Sequence, residues 1–139
     1  MDLSYSTLNK SLQKTQKVLM AIADELNWRL EHEKSYAALK VVLHALRDRL
    51  PINEAVQLGA QFPIVIRGVY YEGWNPAKVP IKMKKQDFID RVHNEYDFGE
   101  VQAETIVRVV LQALSEHISE GEMEDIELSL PKSLRELFP

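Results

Sequence analysis

The chain has no cysteine, which removes disulfides, thiolate nucleophiles and cysteine-based zinc or iron–sulfur centres from consideration. No stretch reaches the roughly 20 uninterrupted apolar residues of a membrane span. The opening MDLSYSTLNK lacks the basic and then apolar order of a secretory signal. The expected location is therefore the cytosol, with no membrane contact. An excess of positive charge is missing too. Lys and Arg number 17 against 21 Asp and Glu, a net charge of -4, which disfavours a polyanion partner such as nucleic acid. No phosphate loop, dinucleotide fingerprint or nucleophile elbow is present, and GVYYEG spaces its glycines too widely around bulky rings. No catalytic residue, cofactor or metal site is assigned on this basis.

What the chain does have is hydrophobic residues, 45% of 139, ample for one compact domain. It also has an internal similarity. A shift of 68 positions lays LKVVLHALRDRLPINEAVQLGAQFPIVIRGVY (39–70) over VRVVLQALSEHISEGEMEDIELSLPKSLRELF (107–138) without a gap. Val41, Val42, Leu43, Ala45, Leu46, Glu54, Pro63 and Arg67 meet Val109, Val110, Leu111, Ala113, Leu114, Glu122, Pro131 and Arg135. With a two-residue slip, VLMAIADELN (18–27) also resembles FIDRVHNEYD (88–97).

These matches imply an all-α fold built from two similar three-helix units. The expected division is an N-terminal extension over 1–13, unit one over 14–71, a linker over 72–85 and unit two over 86–139. Apolar residues at i, i+4 and i+8 give each first helix an amphipathic face. The second helices, from about Ser35 to Arg49 and from Glu104 to His117, carry wider apolar stripes that imply burial on more than one side. Stop and cap signals follow at Pro51, Asn53 and Glu54, and again at Ser119, Glu120 and Gly121. Each third element is interrupted by proline, at Pro63 and Pro131, and should form two short pieces, with proline in the first turn of the second. Leu3, Leu8 and Leu12 suggest a short extra helix or a frayed start, and VPIKM in the linker is the one stretch suited to brief extended pairing.

Four histidines, His32, His44, His93 and His117, form no metal-binding spacing and read as solvated or singly hydrogen-bonded. SEHISEGEMEDIEL gathers Glu116, Glu120, Glu122, Glu124, Asp125 and Glu127 without a basic residue. It reads either as a site for a cation or basic partner, or more simply as a solvated helix start whose carboxylates complement the helix dipole. RDRLPINE could be the turn of a helix-turn-helix, yet the following NEAVQLGAQ has no Lys or Arg for phosphate or guanine.

RGVYYEGWNP (67–76) is the densest cluster of aromatic residues with an arginine. Arg67, Tyr70, Tyr71, Glu72 and Trp74 are the candidate ligand or partner residues, as a stacking or cation–π platform. The alternative is packing that locks the end of the first unit, with Gly68 and Gly73 permitting close approach and a helix stop. Arg67 and Tyr70 have counterparts in Arg135 and Phe138, whereas Tyr71, Glu72, Gly73 and Trp74 have none.

VLHALRDRLP, EAVQLGAQFPIVIRGVYYEGWNP and ISEGEMEDIELSLPKSLRELFP together resemble the bacterial family DUF2267, a domain of unknown function. The resemblance covers nearly the whole chain and implies a small soluble helical bacterial protein. It carries no catalytic residue, cofactor or substrate with it. The leading functional expectation is a non-catalytic protein-interaction module. The alternative is small-molecule binding or catalysis in a pocket between the two units, and self-association is a further possibility for the partner.

Overall fold

The computed structural model describes residues 5–139. They form eight α-helices and one 3-10 turn, with no strand among the described residues. The helices are α1 (Ser6–Leu26), α2 (His32–Arg49), α3 (Ile52–Gln61), α4 (Ile64–Tyr71), α5 (Lys85–Glu95), α6 (Ala103–Ser115), α7 (Glu120–Leu128) and α8 (Lys132–Arg135). The 3-10 turn covers Pro76–Lys78.

α1 is one helix where the leucine pattern suggested an extra piece before it; Leu8 and Leu12 lie in its first half, and Leu3 lies outside the described residues. Its buried stripe runs Ser11, Thr15, Val18, Ile22, spaced for one helical face. The first two of these are polar and so were silent in an apolar pattern. They are satisfied locally: the Thr15 hydroxyl donates to Ser11 O at 2.8 Å, and Ser11 Oγ accepts from the Val65 amide at 2.9 Å, tying α1 to α4. Asn27 ends the helix in the left-handed region at φ 58°, a conformation that asparagine tolerates better than most residues.

α2 buries Ala38, Leu39, Val42, Leu43, Ala45 and Leu46, each large aliphatic side chain contributing about 1.5–3 kcal/mol on leaving water. So wide a stripe serves several neighbours at once, and α2 packs on α1, α4, α5 and α6. Pro51, Pro63 and Pro131 begin α3, α4 and α8, each as the extended residue just before the first helical turn, with ψ of 152°, 157° and 153°. The sequence pattern placed Pro63 and Pro131 one position later, and Pro51 among the stop and cap signals where it stands. A proline preceding the helix still fixes φ for the entry and gives up an amide that the helix does not use.

The stretch expected to pair as extended chain does not join a ladder. Instead the Ile81 amide donates to Asp48 O at 2.7 Å and Arg49 Nε donates to Met83 O at 3.0 Å. Met83 is buried, so the connection between α4 and α5 is pinned to the C-terminal end of α2. A single apolar cluster runs from Val18 through Leu46, Phe88 and Leu111 to Leu137.

Candidate functional site

The aromatic cluster is assembled at the C-terminal end of α4 and turned inward. Arg67 reaches back along its own chain, donating from Nε to Gly59 O at 3.1 Å and from Nη2 to Phe62 O at 2.9 Å. Its charge thus closes the C-terminal end of α3, where orphan carbonyls collect. Tyr70 is fully buried, and its hydroxyl donates to Ala55 O at 2.6 Å. Its ring meets Phe62 and Tyr71 edge-on, with centroids 5.3 and 4.9 Å apart. Tyr71 is half-buried, packs across Gly59, and lies 5.4 Å from the ring of Trp74. The Trp74 indole N–H is buried without a hydrogen-bond partner. Glu72 points elsewhere: its exposed carboxylate pairs with Lys40 at 3.2 Å, while its carbonyl accepts from Arg47 Nη1 at 2.8 Å. The structure therefore joins Tyr70, Tyr71 and Trp74 in one edge-on and tilted cluster, sets Arg67 on the adjoining helix end, and gives Glu72 to a different surface.

That surface is a polar cleft of about 560 Å³ along α2 and α5, lined among others by Lys40, His44, Arg47, Asp48, Glu72 and Arg91. Arg47 is only 3% exposed. It donates from Nε to Asp48 Oδ1 at 2.8 Å and from Nη1 to Tyr70 O at 2.7 Å. The other carboxylate oxygen of Asp48 accepts from Arg91 Nη2 at 2.7 Å, which ties α2 to α5. Burial by itself would raise the Asp48 carboxyl, but hydrogen bonds from Arg47 and Arg91 outweigh it and hold the group below its ordinary value. His44 Nε2 donates to Val69 O at 2.7 Å, and burial holds its imidazole below the usual histidine range despite that bond. His32 likewise donates to a single carbonyl, Arg29 O, at 2.8 Å, and His93 is exposed.

The acidic segment is exposed at Glu116, Glu120 and Glu124, as expected of a solvated helix start, but departs from that reading at Glu122. Glu122 is 8% exposed, as is Glu54 of α3, against which α7 packs. One oxygen of each, Oε1, is buried with no hydrogen-bond partner. Carboxylate oxygens of Glu54, Glu122 and the exposed Asp125 all lie within 4.8 Å of one another. Burial first, and then a hydrogen bond with the Glu54 carboxyl and its charge, push the Glu122 carboxyl up to about 8. Both glutamates stand three residues into their helices, where a carboxylate commonly turns back to the amide of the preceding cap residue. Neither can. Pro51 begins α3 and has no amide hydrogen, and the Ser119 amide before α7 donates to Gln61 Oε1 at 3.1 Å. The one signal for this pair in the sequence was their coincidence at an offset of 68; burial was not readable. Nothing in one dimension joined Arg91 of α5 to the adjacent Arg47 and Asp48 of α2.

Together these features define a small all-helical chain whose aromatic cluster is packed and whose cleft pairs Lys40 with Glu72 and Asp48 with Arg47 and Arg91. The chain belongs to the family described as "Uncharacterized conserved protein (DUF2267)", whose model matches residues 15–137. No curated protein matches the chain. No helix among the described residues is long and apolar enough to cross a membrane.

Proposed function

We propose that the protein is a non-catalytic interaction module, built from two similar three-helix units, that receives an apolar anchor of a partner protein between α1 and α2. The observation that carries this reading is a groove of about 660 Å³ whose floor includes Leu19, Met20 and Ala23 and whose edge includes Gln16, Asp24 and Arg29. An apolar floor within a polar rim is the composition of a recognition surface, and the unbranched thioether of Met20, 56% exposed, adapts to varied shapes. The rim is held by Arg29 donating to Asp24 at 3.0 Å.

Two details support the paired units. Arg135 Nε donates to Leu130 O at 3.1 Å, five residues back, as Arg67 does to Phe62 O. Leu43, Leu46, Leu58 and Ile66 and their partners at the 68-residue offset, Leu111, Leu114, Ile126 and Leu134, are all buried.

A photo-crosslinker at the exposed Gln16 should capture a discrete partner in cells, and Met20→Glu should abolish the adduct without unfolding the chain. No adduct, together with a monomer by light scattering, would sink the reading.

The second reading is a small molecule in the α2–α5 cleft. It is favoured by the cleft's volume of about 560 Å³ and its mixed charges. A metabolite screen by thermal shift separates the two, because a ligand of the folded state raises its melting temperature. A hit that protects the wild type but not Arg91→Ala would support the cleft.

A further inference from the structure

We propose that Glu54, Glu122 and Asp125 form a site for a divalent, oxygen-seeking cation at the junction of α3 and α7. A group of acidic side chains on a surface would not carry this, since solvated carboxylates need no ion. Here two of the three are more than nine-tenths buried, and each aims an oxygen without a hydrogen-bond partner into the junction. An unpaired buried polar atom costs about 1–3 kcal/mol, and a charged one more. Beyond a proton shared between the two carboxyls themselves, the ordinary remedies are absent. The cap amides that glutamates at this helical position use are missing at Pro51 and taken by Gln61 at Ser119.

Basic partners are absent as well. No Lys or Arg occurs between residues 109 and 131. Among the described residues, none of the eight ion pairs involves Glu54, Glu122 or Asp125. A cation would satisfy both orphan oxygens and offset the repulsion between the two glutamates.

The geometry suits such an ion. Calcium holds oxygens at about 2.3–2.6 Å, so ligands on opposite sides of it stand roughly 5 Å apart. The three carboxylates offer oxygens within 4.8 Å of one another. Magnesium, at about 2.0–2.1 Å, sets its ligands at most roughly 4 Å apart, which the same limit admits. Asp125 is exposed, which leaves one side open for the ion to enter and for water to complete its shell. Because Glu54 and Glu122 belong to different helices, the bound ion would clamp α3 to α7. This inference stands apart from the α1–α2 groove, and either can fail without the other.

The test uses the full chain after treatment with a chelator. Calcium, magnesium and manganese are titrated singly by calorimetry at neutral pH, with melting temperature followed in parallel. One saturable ion per chain and a higher melting temperature are expected. Glu122→Gln and Asp125→Asn should each weaken binding by at least about 10-fold, a loss that even the supporting partners of a metal ligand can produce. Glu124→Gln, an exposed acid on the same helix, should leave it unchanged. Asp125→Asn keeps the test sound if the buried Glu122 variant misfolds. A preference for any one of the three with the same variant pattern supports the site and names its ion. No saturable binding of any of the three at millimolar concentration overturns the proposal, as does binding that survives Asp125→Asn and Glu122→Gln undiminished.

Discussion

Gly59 faces the Tyr71 ring so closely that a β-carbon there would stand 2.7 Å from Cζ and 2.9 Å from Cε2. Two effects of Gly59→Ala compete. Helix propensity favours alanine by about 1 kcal/mol, while crowding a packed interior costs about 1–3 kcal/mol. Tyr71 is held between the rings of Tyr70 and Trp74, so crowding should win. The expected outcome is a net loss of about 1–2 kcal/mol in denaturant unfolding, most of it recovered when Tyr71→Leu is added. An unchanged or raised stability would mean that the ring swings clear.

His44 and Asp48 make a second prediction at this scale. His44 is lowered from 6.5 in the fold, so the unfolded chain takes its proton first and stability falls as pH drops below about 6.5. Asp48 is lowered from 3.8, so its contribution is present above that value and is lost as pH falls through the lower folded one. Acid titration followed by circular dichroism should show both losses. His44→Gln should remove the first and Asp48→Asn the second.

At the scale of elements, the sequence was most legible where burial is apolar and continuous. α2 and α6 were readable from their stripes because such a stripe needs no cap or polar partner to be recognised. Leu43 and Leu111 are fully or almost fully buried on them, and Leu43→Ala and Leu111→Ala should each cost about 2–5 kcal/mol. Thermal or denaturant unfolding measures it, and losses well under 1 kcal/mol at both sites would place the wrong face inside. The prolines marked the broken third elements for the same local reason, being visible in sequence whatever packs around them. The start of α1 was not readable, since Ser11 and Thr15 line its buried face, Thr15 bonding to Ser11 O and Ser11 accepting from a helix 54 residues away. The α3–α7 junction was hidden by ambiguity: a glutamate in a first helical turn looks like a solvated complement to the dipole until another helix covers it. RGVYYEGWNP was legible as a cluster, but not that its rings pack across Gly59 while Glu72 turns to Lys40.

For the molecule as a whole, the question is whether the segments before and after the α4–α5 connection unfold together. Several contacts span that connection. α6 packs on both α1 and α2, and α5 packs on α2. Trp28, just after α1, stacks on Phe98, just after α5, with centroids 5.8 Å apart. Asp48 is shared between Arg47 and Arg91 across α2 and α5. The connection itself is pinned by Ile81 and Met83 to the end of α2. Separating the two segments would expose apolar side chains on α2, α5 and α6 and take Arg91 from the buried Asp48. Loss of one partner from a buried pair alone costs about 3–5 kcal/mol, a large share of the 5–15 kcal/mol that stabilises a typical domain. The chain should therefore unfold in one transition, with far-UV circular dichroism and tryptophan fluorescence coinciding. Residues 1–71 and 85–139, expressed separately, should each lack a cooperative melt. Two resolved transitions in the intact chain, or a folded 1–71 fragment, would show that the contacts across the connection join two independent bodies.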